Sequence, residues 1–127
     1  MARSQPRPTD AELAILRVLW ERGSSTVRQV HEALAGTRET GYTTTLKLMQ
    51  IMTDKGLVTR NETARTHVYS PMAGQEQTER QLVQDLVDRA FGGSAAQLVM
   101  RALGADGTTD AELREIRRLI DDYREKR

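Results

Sequence analysis

Apolar positions recur with helical spacing up to residue 56, give way to two short β-prone runs, and resume helical spacing after residue 75. Leu13, Ile15, Leu16, Leu19 and Trp20 form a broad stripe on a helix expected over Asp10–Arg22 and ended by Gly23. Val27, Val30 and Leu34 share one face of a short second helix. After a polar, glycine-containing break at 36–41, Thr45, Leu48, Met49 and Met52 follow i, i+3, i+4, i+7 on a third helix, which Gly56 stops. The β-prone runs are Leu57-Val58-Thr59-Arg60 and His67-Val68-Tyr69-Ser70, joined by a polar segment.

The stretch 71–75 reads as a hinge. Beyond it, Leu82, Leu86 and Ala90 alternate with Val83, Val87 and Phe91 on a long helix broken by Gly92 and Gly93. Leu98, Val99 and Leu103 mark a short helix. Leu113, Ile116, Ile120 and Tyr123 then keep the 3-4-3 spacing of a coiled-coil seam. Three helices over some fifty residues cannot easily bury all these faces within one chain, and a two-fold partner completes the burial. Leu82, Leu86, Phe91, Leu113, Ile116, Ile120 and Tyr123 are therefore the candidate dimerisation residues.

Four helix starts carry the capping-box pattern, in which a hydroxyl accepts from the N3 amide and a Glu or Gln returns the bond. They are Thr9/Glu12, Thr26/Gln29, Ser94/Gln97 and Thr109/Glu112, and Thr-Asp-Ala-Glu-Leu occurs at both 9–13 and 109–113. The third helix differs. Thr43 is its expected cap, but Leu46 stands at N3 and no box closes. Its first amides either stay open for a phosphate or are satisfied by Thr44 or water.

The order helix, helix, helix, hairpin is that of a winged helix-turn-helix. The expected fold is mainly α with a small β-hairpin wing: a winged-helix DNA-binding domain over 1–72 and a three-helix dimerisation domain over 73–127. Thr43, Thr44, Lys47 and Gln50 lie away from the apolar face of the third helix and suit base edges in the major groove. Tyr42, just ahead of that helix, either reaches a phosphate or packs the turn. Arg60 and Arg65 flank the hairpin, and Thr26 and Arg28 open the helix that crosses the backbone in such a motif. Leu46 and Ile51 are apolar but off the core stripe; they pack on neighbouring elements, or Leu46 meets a thymine methyl. Arg3 and Arg7 either form a short flexible basic arm or lie in a disordered start.

Charge sharpens this picture. The net charge of +1 conceals a basic first part, with ten Lys/Arg against seven Asp/Glu up to residue 70, and an acidic remainder of nine against eleven. The two parts thus carry net +3 and −2. The absence of cysteine removes disulfides, thiolate metal sites and Cys nucleophiles. His31 and His67 fall on different elements with no triad around either, and HExxH, P-loop and GxGxxG patterns are missing. No enzymatic activity, metal or cofactor is expected. No stretch approaches the ~20 apolar residues of a membrane span, and no apolar segment backs the basic start, so a soluble cytoplasmic protein is expected.

Thr9-Asp10-Ala11-Glu12-Leu13 with Leu16 to Trp20, Thr26-Val27-Arg28-Gln29-Val30, Tyr42-Thr43-Thr44-Thr45, Lys55-Gly56-Leu57-Val58 and Tyr69-Ser70-Pro71 together resemble the penicillinase-repressor family of winged-helix regulators (BlaI/MecI type). The likeness spans almost the whole chain and is most specific in the first seventy residues. It implies a homodimeric repressor of a pseudo-palindromic operator, controlling β-lactamase or another stress-response operon. It also implies groove-reading by Thr43, Thr44 and Lys47 and wing contacts near Arg65. The best-known members are inactivated by a protease after a membrane sensor detects the antibiotic, through a cut at an Asn-Phe bond. The matching positions here are Arg101 and Ala102, so release by another cut, a partner or turnover is expected. Copper-responsive relatives use C-terminal cysteines, which this chain lacks.

Two other readings compete with a double-stranded-DNA repressor. One is a winged-helix protein-interaction module that does not bind DNA. The other is a winged-helix regulator that senses a small ligand directly through a polar pocket.

Overall fold

A computed structural model describes residues 7–104 and 107–126. The described elements run α1 (Asp10–Arg22), α2 (Val27–Leu34), α3 (Tyr42–Lys55), β1 (Val58–Asn61), β2 (Val68–Pro71), α4 (Gln75–Ala90), α5 (Ala95–Leu103) and α6 (Asp110–Glu125). They form two compact units that divide within α4, after Leu82.

In the first unit, α1, α2 and α3 each turn one face inward. Ile15, Leu16 and Leu19 meet Val30, Met49 and Met52, with Val58 and Tyr69 of the hairpin closing the cluster. Val18, which the apolar stripe omitted, is buried as well. Helix starts follow local capping chemistry. Thr9 and Thr26 close full boxes with Glu12 and Gln29, while the Ser94 and Thr109 hydroxyls accept from the amides of Gln97 and Glu112. Gly56 ends α3 in the left-handed conformation at φ 83°, and its amide and that of Leu57 turn back to the Met52 carbonyl.

The hairpin is antiparallel, pairing Val58 with Pro71 and Arg60 with Tyr69. Each strand begins one residue later than expected. Leu57 is buried in the turn that leaves α3, and His67 lies exposed before β2. The other edge of β2 is also occupied: Ser25 and Tyr69 exchange backbone bonds of 3.0 and 2.8 Å. This bridge ties the wing to the chain just ahead of α2. Trp20 uses its indole N–H to bond the Ala73 carbonyl at 3.0 Å, which fixes the expected hinge segment against α1.

Glu12 is the least expected member of this unit. It is 2 % exposed, accepts the Thr9 amide at 2.9 Å and takes Lys55 Nζ at 2.7 Å. Burial opposes its ionisation, but the Lys55 ammonium and the Thr9 bonds outweigh that, and its carboxyl is held below the usual range.

The second unit comprises the end of α4 with α5 and α6. Val87 is its one buried side chain among the described residues. Phe91 and Ile116 are half-buried, as is Leu82 on the same α4 helix. Leu86, Leu113, Ile120 and Tyr123 are 49, 41, 51 and 72 % exposed.

Candidate nucleic-acid interface

Thr45, Met49 and Met52 anchor α3 to the core, so the 100° step of the helix turns Thr43, Lys47 and Gln50 to the opposite side, with Thr44 at its edge. All four are exposed. Asp54 also falls on this side, at i+4 from Gln50 and i+7 from Lys47, an acidic neighbour beyond the expected groove-facing residues. Ile51, 41 % exposed, flanks the stripe.

The start of α3 differs from expectation. Gly41 is the N-cap and no side chain caps the helix, so Thr43 sits within the first turn instead of ahead of it. Tyr42 is the first helical residue. Its ring packs on α2: the Arg28 guanidinium lies 5.3 Å from the ring centroid, and His31 meets the ring edge-on at 5.9 Å and 83°.

Between the starts of α2 and α3 and the wing opens a cleft of about 460 Å³. Thr26, Arg28, Tyr42, Arg65, Thr66 and His67 line it, over a floor of Val27, Leu46 and Tyr69. None of these residues is acidic. Leu46 thus packs toward the wing and is partly buried against the core. The Thr26 hydroxyl is engaged in its cap, accepting the Gln29 amide at 3.2 Å. His67 lines this cleft, whereas His31 reaches it only through its edge-on contact with the Tyr42 ring.

The two hairpin arginines part company. Arg60 stands opposite Tyr69 in the hairpin and pairs with Glu62 at 2.7 Å, and Tyr69 and Glu62 both raise its pKa. Arg65 lines the cleft. Of the basic arm, Arg7 is exposed, and Arg3 lies outside the described residues.

A family model described as penicillinase repressor matches residues 8–122. The chain belongs to the penicillinase-repressor family. Among the family's proteins, the transcriptional regulator BlaI of Mycobacterium tuberculosis is 37 % identical over 102 residues, covering 76 % of this chain and 74 % of the relative. The penicillinase repressor of Bacillus licheniformis is 20 % identical over 122 residues, covering 96 % of this chain and 95 % of the relative. In three dimensions, the DNA-binding domain of the repressor BlaI superposes with a TM-score of 0.51 at 24 % identity, over 58 % of this chain and 90 % of that one. The monomeric form of Bacillus licheniformis BlaI in complex with the blaP half-operator gives the same score and identity, over 59 % and 92 %. The shared fold is the winged helix of this repressor family. No described helix is long and apolar enough to cross a membrane.

Proposed function

We propose that this penicillinase-repressor family member is a homodimeric transcriptional repressor that places α3 in the major groove of duplex DNA and lays the wing along the backbone. The observation that carries the reading is the exposed stripe Thr43, Thr44, Lys47 and Gln50, set beside a cleft that holds Arg28 and Arg65 and no carboxylate. Lys47 donates to guanine or phosphate, Gln50 pairs with adenine, and the threonines offer a hydroxyl and a methyl. Arg65 and Arg28 neutralise phosphates, which orients the unit without reading sequence. Thr26 opens the helix that crosses the backbone, while Arg60 braces the wing through Tyr69 and Glu62.

The division of labour is DNA binding by residues 1–72 and dimerisation by 73–127, with the first turns of α4 lending support to the former. A single chain leaves Leu86, Leu113, Ile120 and Tyr123 open to water, and a second copy covering them removes that apolar surface. Leu82, Phe91 and Ile116 extend the same seam. The Bacillus licheniformis relative in its monomeric form takes a half-operator, and two such units joined here span a pseudo-palindrome. The repressor acts in the cytoplasm, without a catalytic step, and leaves its operator through a protease, a sensor partner or turnover.

The deciding experiment maps bound sites across the source genome and then titrates a recovered site against random duplex at several salt concentrations. Tight, salt-steep binding with preference for the recovered site is the expected result. Equal and weak binding to both duplexes overturns the repressor reading in favour of a protein-interaction module.

A further inference from the structure

Arg28, Tyr42 and His31 form a three-part cluster across the turn between α2 and α3. Arg28 lies on the Tyr42 ring, its carbon 5.3 Å from the centroid, and His31, three residues on along α2, meets the same ring edge-on at 5.9 Å. The ring nevertheless stays 40 % exposed and lines the cleft that Arg28, Arg65, Thr66 and His67 share. An arginine on a solvated helix start ordinarily samples many rotamers. A cation–π contact with an aromatic face narrows that freedom yet occupies none of the guanidinium N–H donors, which remain able to bond. An anchored guanidinium in a cleft without carboxylates is suited to one planar or tetrahedral oxyanion, and charge-assisted pairs of this kind are the strong ones.

We infer that the cleft seats one phosphate of the DNA backbone, with Arg28 as the contact and Tyr42 as a positioning residue that aims it through its ring. The inference rests on the DNA-binding reading and assigns within it a sequence-independent anchor separate from the Thr43, Thr44, Lys47 and Gln50 stripe. The ring, not the hydroxyl, is the working part. Phenylalanine therefore substitutes for Tyr42, and leucine does not. His31 holds the ring from α2, so its loss loosens the anchor without removing it.

The test uses the full chain with random-sequence duplex DNA, measuring affinity by fluorescence anisotropy over a series of salt concentrations. Arg28→Ala and Tyr42→Leu each weaken binding several-fold and lower the salt slope by about one. The double variant is no weaker than Arg28→Ala alone, because Tyr42 acts through Arg28. Tyr42→Phe matches the parent in both affinity and slope. Equal losses in Tyr42→Phe and Tyr42→Leu overturn the inference and make the hydroxyl the contact. So does an unchanged slope in Tyr42→Leu when Arg28→Ala lowers it. Thermal melting checks each variant. If Tyr42→Leu is unfolded, Arg28→Lys replaces it: an ammonium lacks the planar fork of donors, so it should bind more weakly than the parent, and parent-like binding overturns the inference. A parent protein with no salt-dependent binding to any duplex defeats the DNA reading itself, whereas a parent that binds while the variants match it defeats only the anchor.

Discussion

Lys55 in the last turn of α3 reaches Glu12 in the first turn of α1, with Nζ 2.7 Å from Oε1. The contact joins the far end of the proposed recognition helix to α1, which supplies Ile15, Leu16, Val18 and Leu19 to the core. Glu12 is almost wholly enclosed, whereas Lys55 keeps about a third of its side chain in water. The pair fixes the direction of α3 at one end, and the packing of Tyr42 on Arg28 and His31 fixes it at the other.

That pair gives the DNA-binding unit a specific acid sensitivity. Because the folded Glu12 carboxyl is held below the ordinary glutamate value of about 4.3, its contribution is complete above that value. It is lost as pH falls through the depressed folded value. Lys55→Met should cost roughly 1.5–3 kcal/mol of stability at neutral pH, the range for a hydrogen bond to a charged group. Urea unfolding at a series of pH values should show the gap between parent and variant closing as pH falls below the ordinary glutamate range. A gap that stays constant on acidification would remove the ion pair as its cause.

Base reading and backbone anchoring should separate by mutation. Lys47→Ala and Thr44→Ala are each expected to weaken operator binding by roughly 1–3 kcal/mol while affecting random duplex less. Arg65→Ala is expected to weaken both duplexes alike and to make the salt dependence shallower. Unchanged operator affinity in Lys47→Ala would mean that α3 does not read the groove.

Dimerisation should set affinity as well as architecture. Two recognition helices about one helical turn apart, ~34–36 Å, engage two half-sites at once, and the seam supplies the effective concentration. Ile116→Asp together with Ile120→Asp should yield monomers, or unfold the C-terminal helices, while residues 1–70 keep their helical signal. Operator affinity then drops toward the level of random DNA. A double variant that still sediments as a dimer with parental affinity would place the seam elsewhere.

Induction is expected to bypass the bond the family resemblance points to. Arg101 and Ala102 lie exposed within α5, in place of an Asn-Phe pair. A protease specific for Asn-Phe should leave the protein intact, as mass spectrometry of the incubated mixture will show. A clean cut between Arg101 and Ala102 would reverse this expectation.

Local rules made much of this protein legible from its sequence. Thr9, Thr26, Ser94 and Thr109 start helices because a hydroxyl satisfies an amide only three residues away, and that geometry is written in a four-residue window. The inward faces of α1, α2 and α3 followed from the helical period alone, since Ile15, Val30, Met49 and Met52 occupy the side that must leave water. The start of α3 was less legible, because Thr43 and Gly41 are both acceptable caps and the packing of Tyr42 on α2 favours the earlier one. Tertiary structure alone decided the contacts between distant segments. Glu12 meets Lys55 across 43 positions and Trp20 meets Ala73 across 53. Arg28, Tyr42, Arg65 and His67 share a cleft where the Ser25–Tyr69 bridge and the burial of Tyr69 bring the wing to the start of α2. Such meetings depend on how whole elements pack once the apolar faces close, and no window of neighbouring residues contains that information.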